Sequence, residues 1–275
     1  MIDSLKPKSG NDRIRSVEPM MDRTVTVFGQ GHFGTPLTAR LREISPEGVS
    51  ILPVAKRENN KEAAFHSGLA VLTVRPEQVA QTLSDIKIPL NTDAQVLSFA
   101  ANVSDKDDVS LRHLEQLVHR PVARMMTAPG WSIAAYVLGE GFSKGGYEFI
   151  FNYLTRMKPI ELKSDRALDK YTILLAHMRV AQLLKGVGLI ENADKHIRFV
   201  LGKLGIDPEK FGRYEVGDDP PEIALEKIAT PGGVSERFIK IFRDNPRISP
   251  ESVFENVLRD IDEARARAGI TARKK

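Results

Sequence analysis

Cysteine is absent from the 275-residue chain, which excludes disulfides, thiolate metal sites and a cysteine nucleophile. Long hydrophobic runs are missing too, and none approaches the ~20 residues needed to cross a bilayer. Met1–Arg23 is polar, with Lys, Asp, Arg and Pro where a secretory signal has its apolar core, so the expectation is a cytoplasmic protein. Neither charge sign dominates: 40 Lys and Arg stand against 36 Asp and Glu, a formal balance of +4. Without a basic stripe interleaved with aromatics, neither nucleic acid nor a membrane is expected as a partner. None of the six histidines has metal-ligand spacing with an acidic neighbour, so no metal is expected. The arginine- and lysine-rich end reads as a solvated helix terminus and tail.

A long alternation of strands and helices is present instead. Residues 1–23 lack periodicity and read as an extension. The apolar segment Thr24–Phe28 predicts a buried strand, followed by a helix over Thr35–Ile44 and strands at Val49–Val54 and Leu69–Val74. A helix over Glu77–Ile86, a strand at Ala94–Phe99, a helix over Val109–Leu117 and a strand at Pro121–Met126 continue the pattern. A strand at Tyr136–Gly139, a helix over Tyr147–Met157 and a strand at Pro159–Leu162 complete it. This is the grammar of an α/β doubly wound parallel sheet. From Ser164 onward only helices are predicted, beginning with a long one over Leu168–Leu189. The division expected is therefore 1–23, 24–163 and 164–275, the last an all-α domain.

Gly29-Gln30-Gly31-His32-Phe33-Gly34 closes the first strand and opens the first helix. In that context G-x-G-x-x-G is the fingerprint of a Rossmann dinucleotide site. The first glycine permits a tight turn, the second admits a pyrophosphate to the backbone, and the third allows helix–strand packing. After the second strand, roughly 20 residues beyond the loop, an NAD enzyme places a carboxylate for the ribose. Lys56 and Arg57 stand there, which favours a 2′-phosphate and hence NADPH. The competing readings are two exposed loop charges, or Glu58 as the ribose ligand.

Four further segments carry a resemblance. Val71–Val79, containing Val74-Arg75-Pro76, is similar to a strand ending in Val-Lys-Pro, and Ser98–Ser104 to a Ser-x-Ala-Ala-Gly-Val motif. Arg120–Met126 resembles the strand before a Met-Pro-Asn-Thr-Pro turn, and Ala229–Ser235 a Ser-Pro-Gly-Gly-x-Thr signature. Together, from about Val25 to Phe242, they resemble pyrroline-5-carboxylate reductase, the NAD(P)H-dependent enzyme of the last step of proline biosynthesis.

The resemblance implies a Rossmann domain followed by a helical domain through which the chain forms a homodimer. It implies an imine reductase whose cofactor meets Val74, Arg75, Pro76, Ala100 and Ala101. The substrate carboxylate would sit on the N–H groups around Gly232, Gly233, Val234 and Ser235. Pro231-Gly232-Gly233 before a helix makes a good anion junction in any case. Ser235 is a candidate catalytic hydroxyl for the imine nitrogen, or else a plain helix cap. Asp218 falls where the family has an acidic residue, or is an ordinary loop carboxylate.

The chain departs from the family in two places. Thr127-Ala128-Pro129-Gly130-Trp131 lacks the family's Asn, and Leu168–Ile173 replaces a Gly-rich run with Asp, Lys and Tyr. Trp131 there either lines a more aromatic substrate pocket or packs in a core or interface. Three functions stay open: the imine reductase itself, an oxidoreductase of a different imine or oxo acid in secondary metabolism, and a cofactor-binding pseudo-enzyme.

Overall fold

The computed structural model describes residues 23–103, 107–211, 219–229 and 232–269. Seven strands form one sheet: β1 (Arg23–Phe28), β2 (Val49–Val54), β3 (Leu69–Leu72), β4 (Gln95–Ser98), β5 (Val122–Thr127), β6 (Ala134–Leu138) and β7 (Ile160–Glu161). Their order is β2-β1-β3-β4-β5-β6-β7. All of β3 and β4 is buried, as is most of β1. This explains their unbroken apolar runs, because helices cover both faces.

On one face lie α1 (Gly34–Ile44) and α5 (Glu148–Tyr153), whose Leu37, Leu41, Ile150 and Phe151 pack against Val25, Val27 and Val71. On the other lie α2 (Asn60–Phe65), α3 (Pro76–Ile86) and α4 (Leu111–Val118), with Ala64, Leu83 and Leu114 against Phe28, Leu72 and Val96. The helix α2 is absent from the sequence reading because six residues are too few to display a period.

One strand corrects the parallel sheet expected. β6 runs antiparallel to β5, with Met125 opposite Tyr136 and Thr127 opposite Ala134. The link between them is too short for the dozen or more residues that a parallel crossover needs. A second difference lies at β3, which ends at Leu72 rather than Val74. There the Thr73 N–H still donates to the Phe28 carbonyl (3.0 Å), while its hydroxyl donates to the same carbonyl (2.9 Å) and to that of Gly29 (2.6 Å).

Beyond the sheet come α6 (Asp165–Gly186), α7 (Ala193–Lys203), α8 (Pro208–Phe211), α9 (Pro221–Ile228), α10 (Val234–Asp244) and α11 (Pro250–Arg267). Ser164 caps α6, its hydroxyl accepting the N–H of Ala167. Leu168, Tyr171, Ile173, Leu174, Leu175 and Met178 are all buried, so α6 is apolar around most of its circumference. That marks a central helix: α7, α9, α10 and α11 pack on it, and its first half also rests on β5 and β6. Among the described residues, no helix is long and apolar enough to cross a membrane.

Candidate cofactor and substrate site

The chain leaves β1 for β2 on one side while β3 lies on the other, so the strand order reverses at the carboxyl ends of β1 and β3. Open α/β sheets bind ligands in the crevice at such a switch point. Gly29–Gly34 occupies it.

Each glycine of this loop has a distinct environment. Gly29 sits at φ +100°, a backbone region costly for any side chain, and a Cβ there would lie 2.9 Å from Val74. A Cβ on Gly34 would run into the carbonyl oxygen of Gly29 and lie 2.6 Å from the Thr73 hydroxyl. Gly31 differs: its φ is not in the left-handed region, and a Cβ there would meet nothing within 4 Å. The protein's own packing therefore gives no reason for glycine at position 31, whereas a ligand approaching the backbone does.

The helix α1 that follows is open to an anion. No side chain caps it and no acidic residue stands in its first turn. Within the loop, His32 is exposed and Phe33 half-buried. The side chain of Gln30 turns inward, its amide donating to Val27 (3.3 Å) and to Thr38 (3.1 Å). Gln30 can therefore offer a ligand its backbone but not its side chain.

The other predicted cofactor residues gather around this loop to different degrees. Val74 packs on Gly29, and Pro76 opens α3 at its first position, preset for a helix start. Arg75 is exposed beside Glu77 at 4.0 Å. Ala100 is buried and Ala101 half-buried just past β4, where the Ala100 N–H donates to the Ser98 hydroxyl at 3.2 Å. Trp131 stands over the same end of the sheet, its ring 5.7 Å from Phe33, which in turn lies 5.2 Å from Phe99. Three aromatics thus pack together beside the glycine loop.

Lys56 and Arg57 follow β2 and are exposed, yet neither is free. Lys56 lies 3.7 Å from Glu58. Arg57 forms a two-pronged pair with Asp85 of α3, at 2.7 and 3.3 Å. Asp85 also accepts from Gln81 and Asn60, and its bond to Arg57 is the main cause holding its carboxyl below the usual range. A 2′-phosphate at Arg57 has to share or displace that carboxylate.

The residues predicted to hold a substrate carboxylate lie elsewhere in the chain. Gly232 takes φ +76°, Gly233 forms the cap position of α10, and Ser235 is two residues inside the helix. Ser235 is therefore not the helix cap that the sequence left open. Glu236 from the same turn accepts the N–H of Gly232 at 2.7 Å, placing an internal carboxylate where an anionic ligand was expected. A groove of about 930 Å³ opens here between α9, α10 and α11, lined by Glu222, Leu225, Gly232, Glu236, Arg237 and Lys240 among others. No residue of the glycine loop, Val74–Pro76, Ala100–Ala101 or Trp131 lines it. Asp218, Thr230 and Pro231 lie outside the described residues.

Sequence reasoning missed a charged cluster against the segment Ala100–Asn102 that follows β4. Arg124 of β5 is completely inaccessible to solvent and pairs with Asp165 and Asp169 at the start of α6. Its guanidinium also donates to the carbonyl of Ala100 at 3.5 Å. Asp169 lies 3.5 Å from Arg265 of α11 and accepts the Asn102 amide at 3.2 Å. Burial is the largest influence on Asp169; with Asp165 it outweighs the two arginines and pushes the carboxyl up to about 6. In sequence these residues lie far apart and read as ordinary charges. The one available signal was an arginine inside the otherwise apolar run at the start of β5 (Val122–Thr127).

No protein-family model matches the sequence, and comparison with curated proteins finds no sequence relative. Among solved structures, pyrroline carboxylate reductase from Plasmodium falciparum, with NADP bound, is similar at TM-score 0.53 and 16% identity. That match covers 90% of this chain and 99% of that one. A pyrroline-5-carboxylate reductase from Coxiella burnetii matches more weakly, at TM-score 0.47 and 15% identity, over 90% of this chain and 98% of that one. At such identities the likeness concerns architecture alone: the chain has a Rossmann-type sheet followed by a helical region.

Proposed function

We propose that this chain is an NAD(P)H-dependent oxidoreductase, in particular an NADPH-dependent reductase acting on the C=N bond of a small carboxylated imine. The observation that carries the reading is Gly31. It is a glycine in open space with no backbone need for one, beside an uncapped helix N-terminus. That combination fits a pyrophosphate held by the backbone of Gly29–Gly34.

A nicotinamide cofactor, when bound, supplies the hydride. The protein's part is to hold and orient it: Val74–Pro76 and Ala100–Ala101 border the nicotinamide half, and Lys56 with Arg57 meets the 2′-phosphate. A protonated cyclic imine already accepts hydride readily, so the demand is for alignment and exclusion of water rather than for a titrating dyad. Phe33, Phe99 and Trp131 supply the dry wall. Ser235 serves the imine nitrogen, and the N–H groups of Gly232–Ser235 serve the carboxylate once Glu236 gives way; the resemblance assigns the acidic role at that nitrogen to Asp218.

The groove beside Gly232 has no glycine-loop residue in its lining, so it does not join Gly232–Ser235 to that loop. A homodimer formed through the helical region is how they would meet. The reading therefore includes a partner subunit that supplies Gly232–Ser235 to this subunit's crevice.

One observation favours a substrate other than pyrroline-5-carboxylate. Where the resembled family has small residues, Asp169 stands half-buried among Arg124, Arg265 and Asn102. A more polar floor suits a different imine or an oxo acid.

Absorbance at the reduced-nicotinamide band tests this directly. Steady NADPH oxidation is expected with a carboxylated imine or an oxo acid. Tight NADPH binding without turnover on any imine or oxo acid would leave a cofactor-binding protein and refute the reductase.

A further inference from the structure

One carboxylate sits at the centre of the charged cluster against Ala100–Asn102. Asp169 lies 3.2 Å from the Arg124 guanidinium and 3.5 Å from that of Arg265. Both arginines then reach the same short segment: Arg124 donates to the carbonyl of Ala100 and Arg265 to that of Asn102. Asn102 closes the ring, its amide donating to Asp169 at 3.2 Å while its side-chain oxygen accepts the Val109 N–H at 3.0 Å. Alternate carbonyls of Ala100–Asn102 are thus gripped by two cations that share one anion.

A merely structural clasp is the simpler explanation, but energetics argue against it as the whole account. Buried ion pairs rarely stabilise a fold more than apolar packing of the same volume. Apolar residues already surround the spot, since Val103, Met126 and Leu168 belong to the same helical core. What the ion pairs add is direction, because the guanidinium planes fix where two carbonyls point.

We infer that Asp169 is a positioning residue for the cofactor crevice: through Arg124 and Arg265 it sets the backbone of Ala100–Asn102 against which the nicotinamide half rests. The inference rests on the reading of that crevice as a nicotinamide site.

Its charge state should matter. Arginine does not shed its proton, so neutralising Asp169 leaves Arg124 with Asp165 and takes from Arg265 the carboxylate it pairs with. The charged groups around it are Arg124 from β5, Asp165 from its own helix and Arg265 from α11. Farther out, Glu115 of α4 feels Asp165, and Arg166 pairs with Asp262 across α6 and α11 at 3.7 Å. With its carboxyl at about 6, Asp169 changes charge just below neutrality.

The test is the NADPH dissociation constant, read by nucleotide fluorescence from pH 5 to 8, with thermal stability measured alongside. In the native protein, affinity should fall about tenfold on acidification. Asp169→Asn should bind with the weakened value throughout and lose that part of the pH dependence; whatever remains belongs to the nucleotide's own phosphate. Arg265→Gln removes one cation from Asp169, so the midpoint of the pH profile should move upward. This second variant keeps the inference testable if Asp169→Asn folds poorly. A melting point lowered in either variant, with the NADPH constant and its pH profile unchanged, would reduce the cluster to a clasp and overturn the inference. Failure of the native protein to bind NADPH or NADH at any pH would overturn the nicotinamide reading itself and the inference with it.

Discussion

The indole of Trp131 lies 5.7 Å from the ring of Phe33, joining the turn after β5 to the loop after β1. Trp131 holds φ +53° beside Gly130 at +69°, and its carbonyl accepts the Arg156 N–H at 2.7 Å. A bulky residue in the left-handed region costs on the order of 1–2 kcal/mol, and the surroundings must over-determine it. Strain of this kind gathers where a side chain has a task. Trp131→Leu should raise the KM for the imine or oxo acid by about tenfold while changing NADPH affinity little, given the worth of an aromatic contact. Equal losses in both constants would place Trp131 in the cofactor site instead. As the chain's single tryptophan, it also gives a fluorescence signal that NADPH binding should quench.

The loop glycines separate packing from binding. Gly34→Ala drives a methyl into the Gly29 carbonyl, which cannot move without breaking its bond from Thr73. A loss of about 3 kcal/mol or more is expected, visible as a lowered Tm. Gly31→Ala puts the same methyl into open space. It should leave Tm nearly unchanged while weakening NADPH by about tenfold or more, since the methyl would stand where the pyrophosphate has to approach. If Gly31→Ala binds NADPH normally, the crevice assignment is wrong.

What could be read from the sequence follows from what is local. The glycine loop, β1, α1 and the change to an all-helical pattern near Ser164 are encoded by neighbours within one element, where hydrophobic period and turn chemistry are visible. The direction of β6 was not visible, because a run such as Ala134–Leu138 looks the same whichever way it pairs. Gln30 looked like a ligand-facing residue until Thr38, one helical turn inside α1, proved to be its partner. The Arg124–Asp169 pair spans 45 residues, and no local pattern distinguishes such charges from a solvated face. Glu236 is the converse case: a plain N-terminal carboxylate whose capping of Gly232 alters the anion site predicted beside it.

On the proposed reading, a 2′-phosphate at Arg57 competes with Asp85. The guanidinium is held by Asp85, itself tied to Gln81 and Asn60, while Lys56 faces Glu58 at a looser 3.7 Å. Lys56 should therefore be the readier phosphate ligand. Lys56→Ala should weaken NADPH severalfold more than NADH, and Arg57→Ala less so. Asp85→Asn, by releasing Arg57, should improve NADPH binding relative to NADH. Parallel changes for both nucleotides in all three variants would refute recognition of the 2′-phosphate.

Stability in acid should depend on a buried histidine pair. His177 of α6 and His196 of α7 are fully inaccessible and share one hydrogen bond of 2.8 Å among Phe199, Phe238 and Phe242. Burial is the chief cause lowering both, His177 to about 3 with His196 as second cause, and His196 to about 4. For His196, Glu251 pulls upward and Lys195 downward. Both folded values lie below the ordinary 6.5, so the unfolded chain binds more protons between them. Stability is then complete above pH 6.5 and lost as pH falls, on the order of 3 kcal/mol for His196 alone by pH 4. Asp169 works the other way: its raised carboxyl makes the folded state the better proton binder between about 4 and 6, adding stability as pH falls. Two histidines outweigh one aspartate, so Tm should decline below pH 6.5. The double replacement His177→Leu with His196→Leu should remove that decline, and a melting profile as acid-sensitive as the native one would assign the loss to other groups.

Complementation between subunits tests where the substrate residues belong. Gly232→Val breaks a turn that requires φ +76°, and Gly31→Val blocks the proposed pyrophosphate path. Each variant alone should be nearly inactive. If one subunit supplies Gly232–Ser235 to the other's crevice, every mixed dimer contains one intact site and one doubly damaged site. Random exchange of equal amounts makes half the dimers mixed, so about a quarter of native activity should return. Sites complete within one chain leave each mixed dimer with two singly damaged sites and no recovery. Size-exclusion chromatography shows whether dimers form, and native mass spectrometry of the mixture, with one variant isotope-labelled, shows whether they swap. Recovery of activity in step with exchange is the expected result, and exchange without recovery would confine the site to a single chain.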